Sequence, residues 1–188
     1  MDAAMDLFGR QGFRGTTIAQ IEAAAGLTPG AGGLYRHFAS KKELLEAGVA
    51  HQLQHTSELG HLLDPVELAG IPAGSGQFLA VADASLRRLD AERDVNRLLL
   101  RDLAEFPELL DRIRDNELRR VHQTFTAWLR SQAPDPAVDV GGLAAVLMSA
   151  LSHFWILSDA FGEYPLEIDR SRFLASLAEV ATRMLRAG

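Results

Sequence analysis

Thr17-Ile18-Ala19-Gln20-Ile21-Glu22-Ala23-Ala24-Ala25-Gly26-Leu27-Thr28-Pro29 is the stretch whose reading decides the fold. Thr17 and Gln20 have the spacing of a capping box, in which the threonine oxygen and the glutamine side chain satisfy free backbone N–H groups reciprocally. Ile18 and Ile21 share one face of the helix so opened. Gly26 ends it, because glycine enters the left-handed region without a Cβ penalty. Thr28-Pro29 then predicts a new start, with threonine as N-cap and proline at the first helical position, where no N–H is needed. The third helix is expected to reach Phe38. Two short helices around a glycine turn constitute a helix-turn-helix.

The pattern extends in both directions. A first helix is predicted over 2–11, with Ala4, Leu7 and Phe8 on one face, a stop at Gly12 and Phe13 folding back onto that face. Ser40-Lys41-Lys42-Glu43 is a second capping box, launching a helix whose Leu44, Leu45, Gly48 and Val49 form an apolar stripe. Asp64-Pro65 and Ile71-Pro72-Ala73-Gly74-Ser75-Gly76 are rich in helix breakers. Five further helices are predicted near 76–90, 92–105, 107–131, 140–161 and 169–186, separated by Pro107, by Pro134 and Pro136, and by Gly162-Glu163-Tyr164-Pro165. Alternating β-branched runs are absent, so the fold class is all-α with about nine helices. The expected division is a three-helix helix-turn-helix domain at 1–48 and a helical ligand-binding and dimerisation domain at 49–188.

Composition narrows the chemistry. The 188 residues include no cysteine, which excludes a disulfide framework and a thiolate nucleophile. The net charge of −6 argues against a general polyanion binder. In the first fifty residues, however, Arg10, Arg14, Arg36, Lys41 and Lys42 balance Asp2, Asp6, Glu22, Glu43 and Glu46, so residues 51–188 carry the whole excess. A nucleic-acid surface therefore belongs to the first part. The start, Met1-Asp2-Ala3-Ala4-Met5-Asp6-Leu7-Phe8, lacks the basic and apolar segments of a secretory signal, and the expected location is the cytoplasm. Residues 140–157 are almost wholly apolar or small, but Ser149, Ser152 and His153 interrupt them and Asp139 and Asp159 flank them. They are read as a buried helix, not a membrane span.

Several submotifs in fixed order carry a family resemblance. Gly12-Phe13-Arg14-Gly15-Thr16-Thr17-Ile18, then Ile21-Glu22-Ala23-Ala24-Ala25-Gly26-Leu27, then Leu34-Tyr35-Arg36-His37-Phe38 and Ser40-Lys41-Lys42-Glu43-Leu44-Leu45 together resemble the DNA-binding signature of TetR-family transcriptional regulators. The resemblance covers about a quarter of the chain. It implies a second helix crossing the DNA backbone and a recognition helix entering a major groove about 12 Å wide. Thr17 would offer a helix N-terminus to a phosphate. Tyr35, His37 and Lys41 match the family's phosphate-contacting positions, which orient the protein without reading sequence. Arg36 and Thr28 are the groove candidates, the guanidinium fork of Arg36 suiting the O6/N7 edge of guanine.

One departure alters the expected contacts. Seven residues, Leu27 to Gly33, separate Gly26 from Leu34-Tyr35. That is about two more than the family's usual spacing, and two extra helical residues rotate the far end by ~200° and lengthen it by ~3 Å. Gly30, Ala31, Gly32 and Gly33 offer almost no side-chain donors, so direct readout is expected to fall on Arg36.

For the remainder the resemblance implies a regulatory domain. Phe78, Phe106, Phe125, Trp128, Phe154 and Trp155, with His122, Met148 and His153, supply the apolar walls and few polar groups of a small-molecule site. Phe106, His122, Phe125 and Trp155 are the chosen effector contacts. The helices at 140–161 and 169–186 are expected to form a four-helix homodimer interface, the latter presenting Phe173, Leu174, Leu177, Val180, Ala181 and Leu185. Such a dimer places two recognition helices about 34–36 Å apart on a palindromic operator. The expected function is a repressor that a small-molecule inducer releases from DNA. The alternative is a ligand- or protein-binding module whose helix-turn-helix no longer binds DNA. Catalysis has no motif to support it, no cofactor is implied, and His51, His55 and His61 lack the cysteine or acidic partners of a metal site.

Overall fold

The computed structural model describes residues 1–55, 63, 68–133 and 135–186. His61, Asp64, Pro65 and Pro134, singled out above, lie outside them, as does the side chain of His55. Among the described residues nine α-helices and no strands occur: α1 (Asp2–Gly15), α2 (Ile18–Ala24), α3 (Lys41–His55), α4 (Ser75–Ala91), α5 (Arg93–Arg101), α6 (Pro107–Arg112), α7 (Arg119–Gln132), α8 (Val140–Phe161) and α9 (Arg170–Arg186). Short 3-10 turns lie at Leu34–Arg36 and Leu103–Glu105, and Ile113–Leu118 joins α6 to α7 as a π-helical segment. The chain is all-α.

Two compact units divide the chain, each drawing on two stretches of sequence: Met1–Thr56 with Glu92–Glu117, and Ser57–Ala91 with Leu118–Gly188. In the first, α1 packs on α5 and α3. Met5, Phe8, Ile21, Leu44, Leu45 and Val49 are buried together with Val95, Leu98, Leu103, Phe106 and Ile113. Each such side chain removed from water contributes roughly 1.5–3 kcal/mol before ordering costs. The helix-turn-helix core is thus completed by a later segment of chain.

Helix α1 breaks its regular geometry at Gly12, whose φ of 83° lies in the left-handed region. The break turns Phe13 back onto Phe8, with ring centroids 5.7 Å apart. Carbonyls around it are satisfied from the side: Arg101 donates to the carbonyls of Phe8 (2.7 Å) and Gly9 (3.2 Å), and the buried Thr16 hydroxyl donates to that of Gly12 (2.8 Å).

The second unit is built on α8. Asp139 caps it by accepting from Gly142 N–H at 3.0 Å, and Gly162 closes it at φ 83°. By length and composition α8 is apolar enough to cross a membrane. Here its Leu143, Ala144, Leu147, Leu151, Phe154 and Trp155 are buried, and it packs on α4, α7 and α9. Asp169 opens α9, accepting from Arg172 N–H at 2.7 Å and from the Ser171 hydroxyl at 2.6 Å; these two bonds, the hydroxyl's first, hold its carboxyl below the usual range.

The predicted third helix is corrected. Residues 28–33 form turns, and only Leu34–Arg36 coil, as a 3-10 turn. The reason is local chemistry: each glycine costs about 1 kcal/mol in a helix, and Gly30, Gly32 and Gly33 fall in one turn's length. Proline followed by a glycine at positive φ suits a type II turn instead, and Ala31 N–H donates to Thr28 carbonyl at 3.2 Å around Gly30 at φ 78°.

Candidate nucleic-acid interface

Helix α2 opens with the predicted capping box. Thr17 Oγ1 accepts from Gln20 N–H at 3.2 Å, and Gln20 Oε1 accepts from Thr17 N–H at 2.7 Å. Its far end closes on Gly26 at φ 73°, with Leu27 N–H donating to Glu22 carbonyl (2.8 Å) and Gly26 N–H to that of Ala23 (3.1 Å). This doubly bonded closure is the Schellman arrangement that a C′ glycine permits.

The 3-10 turn that follows has two faces. Leu34 and Phe38 are half-buried against the core of the first unit, while Tyr35 (57% exposed), Arg36 and His37 face solvent. His37 N–H and Phe38 N–H both donate to Leu34 carbonyl at 3.0 Å, so the exposed trio is rigidly tied to its anchors. Thr28 is exposed on the preceding turn.

Lys41 sits differently from a simple surface cation. Its ammonium donates to the carbonyls of Phe13 (2.8 Å) and Thr16 (2.9 Å) and lies 4.3 Å from the centre of the Phe13 ring. It therefore clamps the link between α1 and α2 to the start of α3. The other early cations are also engaged: Arg10 with Asp6, Arg14 with Glu105, Lys42 with Glu46 and Glu108. Arg36 is the one Lys or Arg among the first fifty residues with neither an ion pair nor a side-chain hydrogen bond among the described residues.

Glu22 is the residue that sequence reading overlooked. It is fully buried, and its carboxylate accepts from Gly30 N–H (2.6 Å) and Leu34 N–H (3.4 Å). A carboxylate one position after the inward-facing Ile21, in a run of alanines, was the available signal.

The four effector candidates do not converge. Phe106 belongs to the core of the first unit, edge-on to Phe13 at 4.8 Å. In the second unit, Phe125 stacks on Trp128 at 5.6 Å, and His122 is half-buried one turn before it, 3.5 Å from the Thr126 hydroxyl. Trp155 lies in a separate cluster, its indole N–H donating to Asp90 at 3.1 Å. Phe125 borders a void of about 20 Å³ with Phe78 and Leu147. Trp155 borders a groove of about 510 Å³ between the ends of α4 and α8 and the start of α9. Two charged groups of that groove hold each other, Arg170 pairing with Asp90 (3.3 Å) and also with Asp83 (3.0 Å). Trp128, which packs on Phe78 and Phe125, two residues of the small void's wall, has a buried indole N–H with no acceptor among the described residues. No group of three or more metal-ligating side chains occurs among the described residues.

Residues 1–47 match the family model described as bacterial regulatory proteins, tetR family. This first segment is similar to the DNA-binding domain of that family. The matched stretch holds α1, α2, the 3-10 turn and the first half of α3. The chain is 23% identical over 179 residues to an uncharacterized HTH-type transcriptional regulator, YvkB, of Bacillus subtilis strain 168, covering 93% of this chain and 88% of that one. Its fold is similar to that of the TetR-family transcriptional regulator PfmR of Thermus thermophilus, with a TM-score of 0.66 and 20% identity over 98% of this chain and 96% of PfmR. A gamma-butyrolactone receptor (ArpA-like protein) is also similar, with a TM-score of 0.58 and 26% identity over 99% of this chain and 93% of the receptor.

Proposed function

We propose that this protein is a TetR-family regulator, a homodimeric, cytoplasmic repressor that binds a palindromic operator and is released from it by a small molecule. The observation that carries the DNA-reading half is Arg36: an exposed guanidinium without an acidic partner among the described residues, on a turn anchored by Leu34 and Phe38. It reads a base edge, while Tyr35 and His37 beside it, Thr17 at the α2 N-terminus and Thr28 on the preceding turn contact backbone or groove. Lys41 serves first as the clamp of this module and adds its charge to the phosphate field.

The effector enters the second unit beside Trp128, where an unmet donor awaits an acceptor in a wall of Phe78 and Phe125. A buried polar group without a partner carries its full desolvation cost, so a ligand supplying the acceptor gains what the unliganded protein forgoes. The matching class is a molecule with an apolar body and a carbonyl head, to which gamma-butyrolactones belong. A void of about 20 Å³ is far below the ~300 Å³ of ordinary ligand sites, so binding must part α4, α7, α8 and α9. That displacement supplies the differential affinity any two-state response requires. Dimerisation covers the apolar faces of α8 and α9, where Val146, Val180 and Met184 are 62%, 50% and 54% exposed.

Selection of bound duplexes from a random pool by the purified protein tests the reading. A palindromic motif is expected from the parent. Arg36→Ala is expected to lose about 1–3 kcal/mol of discrimination at one position per half-site, and Tyr35→Ala to weaken all sequences alike. No enrichment by the parent would transfer the reading to a ligand- or partner-binding module without DNA recognition.

A further inference from the structure

We propose that Glu22 is the positioning residue that sets the geometry of the DNA-reading turn, its buried carboxylate substituting for the helix that the glycine-rich connection does not form. The inference rests on the DNA-binding reading above and assigns to one residue the fit of its recognition element.

Both ends of Glu22 act on the same connection. Its main-chain carbonyl accepts from Leu27 N–H and so closes α2. Its side chain reaches past that closure, Oε2 accepting from Gly30 N–H at 2.6 Å and Oε1 from Leu34 N–H at 3.4 Å. The two oxygens thereby gather the centre of the Thr28–Ala31 turn and the first residue of the 3-10 turn onto one point. In a regular recognition helix these N–H groups would be ordered by successive carbonyls. Here Gly30 and Gly32 stand at φ 78° and 71°, conformations that stop a helix, and the chain has no repeating internal ladder to fix its path.

Burial of the carboxylate enforces the arrangement. Glu22 has no exposure to water, so it cannot exchange these donors for solvent, and a desolvated charge needs hydrogen-bond partners. The connection runs alongside the carboxylate: a Cβ added at Gly33 would be in ordinary van der Waals contact with Leu27 (3.5 Å) and Glu22 Oε1 (3.8 Å). The long Leu27–Gly33 connection is therefore folded over the carboxylate, and Tyr35, Arg36 and His37 are presented from a fixed base. Without it Leu34 and Phe38 would still pin the far end, while the near end would sample several paths.

Glu22→Gln keeps the size but offers one acceptor where two are used, and Glu22→Ala offers none. Three measurements on the full-length protein test the proposal: binding to the duplex selected by the parent, binding to a random duplex at low salt, and amide exchange at Gly30 and Leu34 without DNA. For both variants we expect at least tenfold loss of discrimination between the two duplexes, random-duplex binding within twofold of the parent, and faster exchange at both amides. A purely structural role would instead lower both affinities together with the thermal midpoint, and that result overturns the proposal. Unchanged discrimination in Glu22→Gln overturns it too. If neither variant folds, the parent decides: Gly30 must exchange well below its unstructured rate, and exchange at that rate refutes the anchor. A parent without any sequence preference sinks the DNA-binding reading, and with it the positioning role, while exchange still reports whether Glu22 holds the turn.

Discussion

The ammonium of Lys41 lies 2.9 Å from the carbonyl of Thr16, and this contact joins the start of α3 to the entry of α2. A second bond to Phe13 carbonyl and the Phe13 ring complete the site. Lys41→Ala leaves two half-buried carbonyls without this donor, and hydrogen bonds to charged groups contribute about 1.5–3 kcal/mol each. The expected loss is on the order of 2 kcal/mol in urea unfolding. The salt dependence of DNA binding should change by less than the full unit expected of a free phosphate-contacting lysine. Unaltered stability would return Lys41 to the status of a surface charge.

Asp94, on α5, has its carboxyl raised above the usual range, by burial first and by the neighbouring Asp6 carboxylate second, against the pull of Arg97, Arg10 and Arg93. It lies so close to α1 that a Cβ at Gly9 would run into it. A raised carboxyl pKa means the folded form holds the proton more tightly than the unfolded chain. The ionised group then costs stability above the folded-state pKa, and the cost vanishes below the unfolded value of about 3.9. Asp94→Asn is expected to be more stable than the parent at pH 7, with the advantage shrinking as the pH falls toward about 4. Parallel unfolding curves across that range would contradict this assignment.

Trp128→Phe removes an indole N–H that has no acceptor among the described residues. Relief of that unmet donor, about 1–3 kcal/mol, offsets the apolar area lost with the smaller ring. Denaturant midpoints should therefore shift by less than the equivalent of about 1 kcal/mol. The variant should also fail to release DNA in response to any lactone that releases the parent. A loss of several kcal/mol would show that the N–H is satisfied in the folded protein.

Val180→Glu combined with Met184→Glu places two charges on the exposed face of α9. Sedimentation of the parent should give a dimer and that of the variant a monomer with intact helical circular dichroism. Operator affinity should fall steeply, because two half-sites no longer act as one ligand. A dimeric variant would move the interface elsewhere.

Sequence periodicity was most informative where side-chain pattern and backbone chemistry agreed. The Thr17/Gln20 capping box, the break at Gly12, after which α1 resumes to Gly15 beyond the expected end at residue 11, the stop at Gly26, and the span of α8 all follow from local rules that tertiary contacts reinforce. The third helix was misread because Thr28-Pro29 fits two structures, a helix start and the first half of a type II turn. The glycines that follow decide between them, but only once Glu22 is known to lie beneath. That contact spans eight residues and has no periodic signature. The effector candidates failed to converge for a related reason: aromatic content marks apolar interior, yet Phe106, Phe125 and Trp155 report three different clusters. That the Trp128 N–H meets no acceptor among the described residues is a property of packing, invisible in composition.

The two-stretch make-up of the first unit bears on how readily such reading heads can be traded between proteins. A fragment ending after α3 would carry Phe8, Ile21 and Leu45 but leave behind Leu98, Leu103, Phe106 and Ile113, which close the same core. Recombination at a single crossover would transplant the recognition turn with half its foundation missing. A chimera that keeps this core whole has to carry residues 92–117 along with the beginning of the chain, two segments far apart in sequence.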